Sequence, residues 1–221
     1  IIGYLEDLAD RGARVINISL GYEAAVSGDS LAMAYESLRD RGVLVVAASG
    51  NYGEAGIRIY PSRLDAVVSV GAHRRDGGWS SFSHQDGISI AAPGEEIVTT
   101  RSGGGYAARS GTSLAAPIVT GVLAALMSVD RSLSAEGALA LLLESAVRPS
   151  DGPARLDAAG ALERLSSGRP LVRITELPKT PRTSPEQKIV IRTGAVGSIG
   201  DCRLTLSLLG ETLSRPCGGR S

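Results

Sequence analysis

The sequence has no excess of charge: its 23 basic and 23 acidic residues cancel at pH 7 and are interspersed along 221 positions. That balance excludes the basic stripe that marks a nucleic-acid or membrane-surface partner, so neither is expected. Lysine is nearly missing, with only Lys179 and Lys188, and nothing in the sequence explains the bias. Histidine is confined to His73 and His84 and cysteine to Cys202 and Cys217. No His/Cys/Asp spacing of a metal site results, so no metal is expected. Long apolar runs are also lacking. Ala115 to Val129 is interrupted by Thr120, Gly121 and Ser128 and falls short of the ~20 residues of a spanning helix, so it reads as a core helix. The opening Ile1-Ile2 carries no initiator Met, no basic leader and no signal-peptide pattern, which reads as a piece of a longer protein.

What is present alternates strand and helix. Ile1, Leu5 and Leu8 predict a short amphipathic helix stopped by Gly12. Val15 to Leu20 reads as a buried strand, and Leu31, Ala34, Tyr35 and Leu38 predict a helix capped by Asp29 or Ser30 and ended by Gly42. Val43 to Ser49 and Ala66 to Gly71 are further apolar strands. This rhythm predicts a parallel α/β sheet, in which ligands bind beyond the carboxyl ends of the strands. Ile97 to Thr100 predicts a short strand, and Ser102 to Gly105 a turn before Tyr106-Ala107-Ala108. Ser134 predicts a capped helix with Leu139, Leu142 and Leu143 inward, and a last helix runs from about Leu156 to Leu165 with Leu156, Ala159 and Leu162 inward. Ser166 to Pro170 breaks the pattern. Beyond it Leu171 to Leu177, Lys188 to Thr193 and Arg203 to Leu209 predict strands of a small β-rich appendage, 168–221.

The chemistry concentrates at Ser110-Gly111-Thr112-Ser113-Leu114-Ala115-Ala116-Pro117. Small residues around one serine, followed by a helix-like run, place a nucleophile at a helix N-terminus, where partial positive charge favours nearby anions. An α/β-hydrolase elbow needs glycine two places after the serine, where Ala115 stands, and no phosphate-loop Lys follows Gly103-Gly104-Gly105. The segment resembles the G-T-S-x-A-x-P nucleophile motif of the subtilisin-like serine proteases, the subtilases. The resemblance continues in family order through Asn17-Ile18-Ser19-Leu20-Gly21, Ala47-Ala48-Ser49-Gly50-Asn51, Tyr60-Pro61-Ser62, Ser81-Phe82-Ser83 and Ile90 to Gly94, over roughly residues 1 to 165.

The resemblance implies a three-layer α/β/α domain with a mostly parallel sheet over 1–167, and a serine endopeptidase acting on a polypeptide without an organic cofactor. Ser113 is then the attacking serine, within the loop Gly111-Thr112. Asn51 and the Ser113 backbone N–H hold the oxyanion. Ser19, Leu20 and Gly21 form one wall of the primary specificity pocket, on which substrate docks as an added strand. Ala47, Ala48, Ser49 and Gly50 form the other. Walls of small residues leave room for a sizeable apolar side chain. Glu54, in the loop that could close the pocket floor, is either a selector for a basic side chain or a solvated carboxylate. Structural calcium occurs in many members, but no ligand set stands out.

A serine needs a base, itself oriented by a third group. The family supplies these as an Asp and an H-G-T-H-type His upstream of the segment matching Asn17 to Gly21, and this chain contains neither. His73 sits at a strand end and His84 where the family has a surface loop, so neither matches the family's base by order. The fragment is therefore expected to be inactive without the upstream segment, and Val15 to Leu20 to present an open edge. Pairing of Cys202 with Cys217 would contribute roughly 3 kcal/mol in the chain-entropy model and fits a secreted or cell-envelope protein, two free thiols being the alternative. The competing reading is a non-catalytic peptide-binding or scaffold module, against which the retention of both Asn51 and Ser113 argues.

Overall fold

The computed structural model describes residues 1–23, 28–53, 59–150 and 152–167, together with the strands 171–176, 192–196, 203–208 and 211–216. Glu54, Cys202 and Cys217 lie outside the described residues. The chain divides into two compact units, Ile1–Arg164 and Leu165–Ser221.

The first unit is built on four parallel strands, β1 (Val15–Ile18), β2 (Leu44–Ala48), β3 (Val67–His73) and β4 (Ile90–Pro93), in the spatial order β1-β2-β3-β4. Valine, isoleucine and alanine dominate them because both faces are covered. In β2 every side chain is buried. Helices α1 (Ile2–Asp10) and α2 (Gly28–Asp40) cover one face, where Leu5, Tyr35 and Leu38 pack with Ile16, Ile18, Val45, Ala47 and Val67. On the other lies α3 (Thr112–Val129), packed against all four strands and against α4 (Ala135–Ser145). The fold is thus mixed α/β with a parallel sheet between helices. Alone among the described helices, α3 is long and apolar enough to cross a membrane, yet its Ala115, Ala116, Val119 and Leu123 are buried in this unit.

The chain reaches α3 through an antiparallel hairpin, β5 (Ile97–Thr100) and β6 (Tyr106–Arg109). Gly94 sits under the joint. A Cβ there would lie 2.5 Å from the Ala72 Cβ and 3.0 Å from the Gly111 carbonyl oxygen, so only glycine lets β4 pass this close to the start of α3. The Gly111 N–H donates to the Gly94 carbonyl at 2.8 Å. In this way the sheet fixes where α3 begins.

Two helical faces differ from the sequence-based expectation. In α1 the inward residues are Ile2, Leu5 and Ala9, whereas Ile1 and Leu8 are exposed. In α5 (Ala158–Ser166) the buried residue is Ala161, and Ala159 and Leu162 are exposed. The Gly160 N–H bonded to Asp157 Oδ1 and the Arg164–Glu144 ion pair fix that rotation. Three apolar residues at helical spacing are compatible with more than one rotation, and the polar anchors select it.

The second unit contains two antiparallel pairs, β7 (Leu171–Glu176) with β8 (Arg192–Val196) and β9 (Arg203–Leu208) with β10 (Glu211–Pro216). The strand expected over Lys188 to Thr193 is observed as Arg192–Val196, with 188–191 outside the described residues. Strand β10 was not expected.

Candidate active site

Three segments converge at the carboxyl end of the sheet: the ends of β1 and β2 and the first turn of α3. Ser113, half-buried, is the second residue of α3. Its hydroxyl donates to the Ser19 carbonyl at 3.0 Å, and the Ser19 hydroxyl donates to the Ser113 carbonyl at 2.8 Å. About two turns further on, Thr120 Oγ1 donates to Asn17 Oδ1 at 3.3 Å. The helix is therefore stitched along the end of β1.

Thr112, fully buried, makes the corresponding link to β2. Its N–H and its hydroxyl both donate to Asn51 Oδ1, at 2.9 and 3.0 Å, and the hydroxyl accepts the Gly50 N–H at 3.2 Å. With its oxygen doubly occupied, the Asn51 amide has one orientation, Nδ2 outward. The Leu114 N–H bonds the Gly111 carbonyl. Among the described residues, no hydrogen bond takes the Ser113 N–H or Asn51 Nδ2, and both remain available. Gly111 keeps the space beside them clear: a Cβ there would lie 3.3 Å from Asn51 Nδ2 and 3.8 Å from the Ser113 nitrogen. Two unpaired donors beside one hydroxyl at a helix N-terminus is an arrangement suited to an anionic oxygen.

The two walls differ in what they present. Leu20 and Gly21 are exposed. Ala47, Ala48 and Ser49 are buried in the core, with the Ser49 N–H on the Val70 carbonyl. At Gly50 the backbone φ is +111°, a conformation open to glycine. Ile59 lies between the walls, its Cδ1 2.2 Å from where a Gly21 Cβ would stand and 3.3 Å from the same point on Gly50. The expectation considered the walls alone, and Ile59 enters from a third segment.

Among the described residues, neither histidine shares a hydrogen bond with Ser113. His73 ends β3, with Nδ1 bonded to the Arg74 carbonyl at 2.8 Å. His84, expected in a surface loop, is 5% exposed. Its N–H donates to the Gly50 carbonyl, and among the described residues its ring nitrogens have no hydrogen-bond partner. Packing behind Gly50, which a motif does not encode, puts it in the interior. Among the described residues no group of three or more His, Cys, Asp or Glu could hold a metal ion.

The function of Thr112 as a joint between α3 and β2 was not legible, because its two partners, Asn51 and Gly50, are 61 and 62 residues away. Nor did the sequence mark Ile59.

The chain matches the subtilase family over residues 1–171. M-protease of Shouchella clausii is 41% identical over 131 residues, which cover 59% of this chain and 34% of that protein. Subtilisin Savinase of Lederbergia lenta is 40% identical over 131 residues, covering 59% of this chain and 48% of the relative. Among solved structures, the self-cleaved protease domain of PatA superposes with a TM-score of 0.67 at 36% identity, covering 76% of this chain and 67% of that one. The PatG macrocyclase in complex with peptide gives 0.66 at 27%, covering 74% and 55%. The matched region spans between a third and a half of those two curated relatives. A match over most of its length, on a parallel α/β sheet with a Gly-Thr-Ser helix start, places the chain in the subtilase family.

Proposed function

We propose that this chain is the greater, C-terminal part of a serine endopeptidase domain that cleaves polypeptides through an acyl-enzyme on Ser113. The observation that carries the reading is the pair of donors, Asn51 Nδ2 and the Ser113 N–H, which stand beside the Ser113 hydroxyl and have no partner among the described residues. As Ser113 Oγ bonds to the scissile carbonyl carbon, the C=O π electrons move to oxygen, where these donors meet the charge. Collapse expels the amine, which takes up the serine proton through a base, and water then hydrolyses the ester. Loss of the equivalent asparagine donor in a subtilisin costs about 3–4 kcal/mol, a figure carried over from that relative.

The base and its orienting carboxylate are supplied by an upstream segment of the same protein. In support, the Ser113 hydroxyl donates to the Ser19 carbonyl, His73 is engaged by the Arg74 carbonyl, and His84 is buried behind Gly50. The fragment alone is then inactive. The proposed reaction uses no organic cofactor. The relatives described as maturation proteases and as a peptide-bound macrocyclase support a polypeptide substrate. A location outside the cytoplasm rests on family membership and the two cysteines.

The test is labelling by a small alkyl fluorophosphonate. The fragment should take up no label. Addition of the upstream segment should give stoichiometric label that Ser113→Ala abolishes. Labelling of the fragment alone would refute the supplied base, and failure of the combined protein to label would leave a peptide-binding module.

A further inference from the structure

Ser113 stands at a gap in the hydrogen bonding of its own helix. In α3 the Ser113 carbonyl would accept from the N–H four residues on, but that residue is Pro117, which has none. The Ser19 hydroxyl fills the gap, donating to the Ser113 carbonyl at 2.8 Å. A serine hydroxyl can turn to several acceptors, and its neighbours decide which. Here the neighbour is Asn17, whose Nδ2 donates to Ser19 Oγ at 2.9 Å. With a donor already aimed at its oxygen, the Ser19 hydroxyl directs its own hydrogen at Ser113. Strand alternation puts Asn17 in place: Ile16 and Ile18 pack on the side of α1 and α2, so the residue between them faces α3. Its Oδ1 takes a share of the Thr120 hydroxyl hydrogen, at 3.3 Å, against 3.0 Å to the Ala116 carbonyl. The hydrogen bonds thus run from Thr120 through Asn17 and Ser19 and return to α3 at Ser113.

From this we infer that Asn17 is a positioning residue for the nucleophile: by orienting the Ser19 hydroxyl it fixes the Ser113 backbone at the start of α3, and with it the place where the serine oxygen stands. The inference rests on the reading of Ser113 as the attacking serine. Among the described residues no hydrogen bond joins Asn17 to Ser113 or to Asn51, so it acts through Ser19. Its side chain is exposed and adds nothing to the core. Replacing it should therefore leave stability nearly unchanged while moving the reacting atom. Aspartate is the instructive replacement, because it keeps the shape and the acceptor for Thr120 but supplies no donor. The Ser19 hydroxyl would then turn to the carboxylate and leave the Ser113 carbonyl.

Two measurements separate the geometry from the chemistry. In the 221-residue chain, the NMR resonance of the Ser113 carbonyl carbon reports the bond from Ser19. Asn17→Ala, Asn17→Asp and Ser19→Ala should all shift it in the same direction, and a thermal melt of each variant shows that it is folded. In the protein joined to its upstream segment, the alkyl fluorophosphonate should label the Asn17 variants with a maximal rate constant lowered about tenfold, in the range of a slightly misplaced reacting group. The half-saturating concentration should stay unchanged. Asn17→Ala and Ser19→Ala combined should be no slower than Ser19→Ala alone, since both remove one path. A carbonyl resonance that does not move in the folded Asn17 variants overturns the inference. So does labelling of those variants at the parent's rate, a change confined to the half-saturating concentration, or additive slowing in the double variant. If the parent takes no label while its carbonyl responds as expected, the hydrolase reading fails and the orientation of Ser113 by Asn17 stands.

Discussion

At the scale of single residues, Thr112 carries the most structural consequence per atom. Its hydroxyl lies in the interior between a strand-end N–H and a side-chain amide, accepting from one and donating to the other. Thr112→Val keeps the shape and the backbone bond to Asn51 but leaves the Gly50 N–H without its acceptor. The expected loss is about 1–3 kcal/mol, the cost of a buried polar group left unpaired, read as a lowered urea midpoint with unchanged slope. Thr112→Ser keeps both bonds and should recover most of that stability. If valine costs no more than serine, the hydroxyl does not join the two segments.

At the scale of elements, α4 shows how local chemistry and packing share the work. The Ser134 hydroxyl accepts the Gly137 N–H at 3.0 Å, and Ala135 and the run Gly137 to Leu142 are buried. Ser134→Ala should lower stability by about 1 kcal/mol, with Ser134→Asp restoring most of it. Calorimetric melts of the three proteins check this. That cap, and the β-branched runs of β1 to β3, were legible because their signals lie within a few residues of one another, whereas Asp29 and Ser30, expected to cap α2, lie within the helix, which begins at Gly28. Also legible was the nucleophile motif, with its order relative to Asn17–Gly21 and Ala47–Asn51. Helix rotation was not: α1 turns Ile2 and Ala9 inward and exposes Ile1 and Leu8. Three apolar residues fix a face only when their partners are known. Ile59 and His84 escaped for the same reason, since each is positioned by segments distant in sequence.

At the scale of the molecule, stability against pH has limits set by few groups. Tyr35, on the inward face of α2, has its phenol pushed up to about 12, first by burial and second by the neighbouring Tyr22. A raised folded-state value means that the contribution is complete below the unfolded-state value of about 10 and is lost as pH rises through 12. Stability should therefore decline between roughly pH 10 and 12, and Tyr35→Phe should flatten that limb. On the acid side, the Gly78 N–H and then the Arg74 side chain hold the Asp76 carboxyl low, and Asp130 is held low by Ser132 through its hydroxyl and its N–H. Their contributions are present above the usual carboxylate value and fade as pH falls below it. Urea titrations across the pH range test both limbs. An alkaline decline unaltered in the phenylalanine variant would remove Tyr35 from the account.

The doubly occupied oxygen of Asn51 has a consequence for how such chains evolve. One end of that side chain is read as serving catalysis, and the other holds the start of α3 to β2. A lineage that had ceased to cut peptides would still be selected to keep the asparagine, because losing it would weaken the fold. Preservation of Asn51 is thus poor testimony to activity, and the burden of proof falls on the serine hydroxyl and the base that must reach it.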